Sequence, residues 1–271
     1  YDGCIRSTIF RGYPYPVTIS IQPVLKLSNY EINNAKQFSL QHSLQTYKHV
    51  ILFEFAPLSG QSKMTKEMAV QIAEGLAMNT EIAVILSSGN NIEHSNKNII
   101  DGSVLSLRET AALTHYCTLL LGCSSGITWI STSDAAKALP MIQILNPDTT
   151  WVNPISRDFK RFGLDTSHVI EMITVEKEFI ITCVKQAMVD FVAAREIFNQ
   201  QIPVHFKTTR NIVYNLLCYL EFVAIARHIK INREVFGNKI AFYEEVFLGF
   251  IMAPFKLAYN IFTKKAFNNQ K

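Results

Sequence analysis

An alternation between residues 49 and 146 most limits what this chain can become. Short, almost continuously apolar runs take turns with stretches whose apolar residues recur at helical spacing. The runs are "HVILFEF", "EIAVILSS", "TLLLGCS" and "PMIQILN". Between them, "TKEMAVQIAEGLA" places Met68, Ile72 and Leu76 on one helix face. "SLRETAALTHYC" opens with Ser106 and Glu109 at capping-box spacing, and "ITWISTSDAAKAL" predicts a third helix. Runs without polar alternation suit strands covered on both faces, the condition of a parallel sheet. The order then predicts an α/β fold, a doubly wound, Rossmann-like parallel sheet over about 49–170.

The flanks read differently. Residues 1–48 are mixed, and "YPYPVTISIQPVL" suits an edge strand or linker, which makes 1–48 a reduced N-terminal segment. From 171 to 271 the pattern is helical. "TVEKEFIITCVKQAMVDFVAAREIF" predicts one long helix, "IVYNLLCYLEFVAIARHIK" another, and "EEVFLGFIMAPFKLAYNIFTKK" a third, interrupted at Pro254. Its uninterrupted apolar part, Val246 to Phe255, is about half the ~20 residues of a spanning helix. Lys256, Lys264, Lys265 and Lys271 close the chain with no acidic residue among them, so this tail suits peripheral contact with an anionic membrane.

The overall net charge of +4 is too small to argue for nucleic acid. Five cysteines, at 4, 117, 123, 183 and 218, form neither a CxxC pair nor an even framework, which points to a reducing, cytoplasmic compartment and away from a zinc site. The start "YDGCIRSTIF" lacks the order of a secretion signal.

Ligands of parallel α/β sheets collect beyond the C-terminal ends of the strands. Three polar, glycine-containing loops fall there: "APLSGQSK", "SSGNNIE" and "GCSSGIT". In the first, Ser59 and Gly60 offer a hydroxyl and exposed amides, and Lys63 sits near a helix that Thr65 can cap. In the third, Ser124, Ser125 and Gly126, with Thr128 closing the motif, suit a diphosphate at a helix head. The plainer alternatives are a surface turn with a solvated lysine and a turn whose serines cap a helix. Cys123 adjoins the same turn, where a thiolate could form, but no sequence-close histidine accompanies it. His94 and His115 read as surface histidines, since neither has a partner at metal-ligand spacing.

The succession "FAPLSGQSK", "VILSSGNNIE", "SLRETAALTHYCTLLLGCSSGITWISTSDAAKALPMIQIL" resembles the C-terminal half of GT-B glycosyltransferases. Within that fold it is most similar to the lipopolysaccharide heptosyltransferases, glycosyltransferase family nine. The resemblance covers about 49–146. It implies that Lys63 meets the diphosphate of a nucleotide sugar, that Ser59 binds phosphate and that Glu93 lies near the nucleoside. It also implies that Ser124, Ser125 and Gly126 occupy the family's Asp-Ser/Thr-Gly segment. Ser124 stands where that pattern has aspartate, and Trp129 where it has histidine; the serine-rich version is also similar to fucosyltransferase-type GT-B domains.

The expectation is a glycosyltransferase passing a sugar from a nucleotide-diphosphate donor to a cell-envelope glycan or lipid-linked acceptor. It would work without metal or other cofactor, at the inner face of the cell membrane. No residue is assigned as general base. GT-B enzymes have two Rossmann-like domains, and with few residues before the first strand the N-terminal one is expected to be missing or much reduced. The alternative is a non-catalytic α/β module that binds a nucleotide or a partner at a membrane.

Overall fold

A computed structural model of the chain describes residues 22–55, 62–123, 126–146, 154–161, 163–202 and 206–268. Among these, 22–202 and 206–268 belong to two compact units.

The first unit is built on six parallel strands: β1 (His49–Glu54), β2 (Ile82–Ser87), β3 (Ile99–Asp101), β4 (Leu119–Gly122), β5 (Met141–Ile144) and β6 (Val169–Met172). Their order across the sheet is β3-β2-β1-β4-β5-β6, all pairs parallel. That is the strand order of a Rossmann-like, doubly wound sheet. The fold is therefore α/β, a Rossmann-like parallel sheet followed by a helical C-terminal region, as the alternation implies.

Side chains alternate between two buried faces. On one, Ile51, Phe53, Val84, Leu86, Leu121 and Ile142 pack against α2 (Lys66–Ala77), α6 (Lys177–Val189) and α7 (Phe191–Phe198). On the other, Val50, Leu52, Ile85, Leu120 and Met141 meet α1 (Asn29–Gln41), α3 (Leu107–Leu113) and α5 (Ile155–Arg161). Both faces are apolar, which is why the strands read as continuous runs rather than alternating ones.

Local chemistry sets the helix ends. Ser106 and Glu109 form the expected capping box on α3, and Thr65 caps α2 by accepting from the Met68 amide at 3.2 Å. A second box, Ser28 with Glu31, starts α1 within the segment that reads as mixed. The expected helix over "ITWISTSDAAKAL" is only α4 (Gly126–Ile130); turns follow it. The expected long helix after 174 is two, because the Asp190 side chain accepts from the Ala193 amide and starts α7 afresh.

The second unit holds α8 (Lys207–Cys218), α9 (Phe222–Phe236) and α10 (Ile240–Asn268). The helix expected over "IVYNLLCYLEFVAIARHIK" is broken at the turn between α8 and α9, where Leu220 has a φ of 57°. α10 instead runs through Pro254, leaving the Phe250 carbonyl, four residues earlier, without a helical N–H to accept from. Phe206, Val213, Ile225, Phe242 and Val246 form this unit's own core.

Candidate functional site

Strand order decides where a ligand can reach the sheet. β1 and β4 are neighbours, yet the chain leaves β1 toward β2 and β3 on one side and leaves β4 toward β5 and β6 on the other. The connections diverge, and the C-terminal ends of these two strands are the switch point at which parallel α/β sheets form a ligand crevice. The first connection contains 56–65 and the second 123–126, the two small-residue loops of the sequence.

Two contacts tie the flanks of these loops together. The Ser62 hydroxyl lies beside the Cys123 sulfur and favours its thiolate slightly. The Thr128 hydroxyl donates to the Glu54 carboxylate at 2.6 Å. Both partners of this bond are shielded from water, Glu54 at 1% and Thr128 at 0% exposure. Beneath the rim, Phe55, Met64, Ile92 and Cys123 belong to one buried apolar cluster. The Lys66 ammonium reaches across to the Asn91 carbonyl at 3.3 Å, holding the loop after β2 to the head of α2.

The polar edge is broader than these loops. Glu54 pairs in register with Ser87, Gly122 with Gln143, and Gln143 with Glu171. All except the glycine are buried polar side chains. One face of the sheet therefore turns from apolar to polar in its last row. A Cβ on Gly122 would lie 2.9 Å from Gln143 Nε2 and 3.1 Å from Thr128 Oγ1, so glycine is what lets those two side chains cross β4. At the far end Glu171 accepts from the Ser156 amide at 3.0 Å and from the Ser156 hydroxyl, capping α5. Burial raises its pKa, partly offset by the two Ser156 bonds.

The predicted residues fall on this frame unequally. Lys63 is exposed, two positions before the cap of α2. Gly126 begins α4, and Thr128 points inward to Glu54 rather than out to solvent. Glu93 is exposed on the loop after β2, on that side of the crevice. Ser59, Gly60, Ser124 and Ser125 lie outside the described residues.

Two features of the helix heads bear on anion binding. α4 has five residues, about 7.5 Å of helix, so it adds little macrodipole to the amides at its start. The head of α2 is already served, since Thr65 caps it and the Glu67 carboxylate, its pKa lowered by its own amide and then by the Thr65 hydroxyl, stands in its first turn. An anion here would rely on Lys63 and the loop amides. Nor is Cys123 an activated thiol. Burial, and then the neighbouring Glu54 charge, push its pKa well up, against the smaller opposing effect of Ser62.

His94 bonds Glu74 at 3.2 Å and His115 bonds the Ala135 carbonyl at 3.1 Å. Among the described residues no cluster of three His, Cys, Asp or Glu side chains is placed to hold a metal. Sequence reasoning missed Glu54, Gln143 and Glu171. Their signal was a single polar residue near the end of each apolar strand run.

No protein-family model matches the chain, and no curated protein matches it either. Among solved structures, that of E. coli ADP-heptose LPS heptosyltransferase II is similar, with a TM-score of 0.44 and 14% identity. The match covers 66% of this chain and 56% of that one, so the chain spans little more than half the length of the structure it matches.

Proposed function

We propose that this chain is the nucleotide-sugar-binding part of a GT-B-type glycosyltransferase. It would move a sugar, without a metal ion, from a nucleotide-diphosphate donor to a cell-envelope glycan or lipid-linked acceptor. The observation that supports the reading is that the flanks of both small-residue loops lie at the topological switch point between β1 and β4, with Ser62 beside Cys123 and Thr128 bonded to Glu54. In this reading Lys63 meets the diphosphate. Ser59, Gly60, Ser124, Ser125 and Gly126 supply hydroxyls and amides, and Glu93 approaches the nucleoside. Donors fixed around the departing diphosphate act where charge develops during transfer. A lipid-linked acceptor is presented at a membrane, which makes peripheral membrane contact part of the same proposal.

The test is a thermal-shift titration with ADP, GDP, UDP and CDP. One nucleotide should stabilise the chain, by about 2.7 kcal/mol at a hundredfold excess over Kd. Lys63→Ala should lose that shift while keeping the melting temperature of the unliganded chain. A folded chain indifferent to all four overturns the reading in favour of a non-catalytic module. One observation already favours that rival: Glu54 and Glu67 place two carboxylates beside the crevice a diphosphate would enter.

A further inference from the structure

The helical unit gathers exposed apolar side chains at one end. α8 and α10 run parallel in a constant register. The Phe206 and Phe242 ring centroids are 5.5 Å apart, Arg210 holds Glu245 through bonds of 2.8 and 3.0 Å, and Gly249 packs directly on the Arg210 carbonyl and Val213. The offset is about 36 positions in each case, which brings the turn after α8 level with Phe255 on α10. On that turn Tyr219, Leu220, Phe222 and Val223 are 80, 73, 59 and 77% exposed, and Phe255 is 74% exposed. Scattered apolar residues are ordinary on a protein surface, but five large ones at one end of a three-helix unit mark a contact. The backbone is strained at the same place, in the left-handed conformation of Leu220.

α10 is also apolar around its circumference. Phe242, Val246 and Ala253 are buried, while Phe247 on another side is 64% exposed. A helix of this kind is usually covered all round.

Charge decides between the occupants. Residues 203–271 hold ten of the chain's 26 Lys and Arg but four of its 22 Asp and Glu, leaving sixteen basic against eighteen acidic residues elsewhere. No acidic residue follows Glu245, whereas Lys256, Lys264 and Lys265 follow Phe255 along α10. Glu221 is exposed within the apolar turn, but residues 203–271 are net basic, so a second copy docking through this end would bring two like-charged segments together. An anionic bilayer answers both the apolar side chains and the lysines. No helix among the described residues is long and apolar enough to cross a membrane, so the contact is interfacial.

We propose that this end of the helical unit docks on an anionic lipid surface. Tyr219, Leu220, Phe222 and Phe255 enter the headgroup region, and the net positive charge of residues 203–271 favours anionic lipid. The proposal deepens the peripheral membrane contact of the function proposed above, but its observations come from the helical unit, so vesicle binding and nucleotide binding can fail separately.

The test is co-sedimentation of the full chain with vesicles of phosphatidylcholine and of an equal mixture with phosphatidylglycerol. Binding should favour the mixed vesicles, fall with added salt, and drop about tenfold or more in the double variant Phe222→Ser, Phe255→Ser. Both side chains are exposed, so circular dichroism and any nucleotide shift should be unchanged in that variant. Equal sedimentation of parent and variant, or no preference for the anionic mixture, would overturn the proposal. So would a concentration-dependent dimer that the same substitutions abolish in a chain that ignores vesicles; that outcome assigns the surface to a second copy.

Discussion

At Thr128 a hydroxyl donates to a carboxylate that is almost wholly removed from water. A buried acceptor deprived of its donor costs more than the bond itself is worth, since no water replaces what was lost. Thr128→Val keeps the shape and removes the donor, so it should destabilise the chain by about 2–3 kcal/mol. Thr128→Ser keeps the donor and loses one methyl, a change of about 1 kcal/mol. Urea denaturation of the two variants checks the ranking. A valine variant as stable as the serine one would show that this bond does not hold α4 to β1. The polar row that Glu54 belongs to was legible only in pieces. "VILFEF", "AVILS", "MIQIL" and "VIEM" each carry one polar residue near their ends. What no local pattern contains is the register that lines Ser87, Glu54, Gln143 and Glu171 along one edge, because it joins strands far apart in the chain.

Helices α1 and α3 meet through a charge pair rather than through packing alone. The Arg108 guanidinium bonds the Glu31 carboxylate and the Lys26 carbonyl, and Glu109 accepts from Asn34 at 2.6 Å. The Arg108 bond, followed by those from Ser28, lowers the Glu31 pKa from 4.5 to about 2. Above the ordinary value Glu31 is ionised whether the chain is folded or not, and its full contribution is present. As the pH falls from 4.5 toward 2 the unfolded chain binds the proton first, and that contribution is lost. Asp165, lowered to about 2 by Ser167 and then His168, loses its own in a similar window. Glu31→Gln should therefore flatten, without abolishing, the loss of stability across this range, and should converge with the parent below it. Urea midpoints measured against pH test this, and parallel curves for parent and variant would refute it. Elements were legible where the signal is local: Ser106 with Glu109 marked α3, and continuous apolar runs marked β1, β2, β4 and β5. β3, three residues long, and the brevity of α4 were not, because both are set by tertiary pairing rather than by propensity. The break at Asp190 was visible as an aspartate at N-cap spacing, but the helical period runs unbroken across it.

At the scale of the whole chain, the two units rest on cores of very different size. The sheet unit buries two extended faces, whereas the core cluster of the helical unit, among the described residues, gathers Phe206, Val213, Ile225 and Val246 around Phe242. A unit with a small core of its own is marginal, and chains with separate cores depart from two-state melting. Calorimetry should accordingly show more than one transition, with a calorimetric enthalpy above the van't Hoff value. Phe242 is 1% exposed and touches the rings of Phe206, His228 and Tyr243, so Phe242→Ala should cost the helical unit about 3–5 kcal/mol. The lower transition should vanish in that variant, while the upper one, and any shift it shows with a nucleotide, persists. If the substitution instead lowers one transition common to the whole chain, the sheet depends on the helices for its stability. The crevice and the lipid-facing end would then be parts of one cooperative structure, and a membrane that stabilised the helices would also stabilise the site.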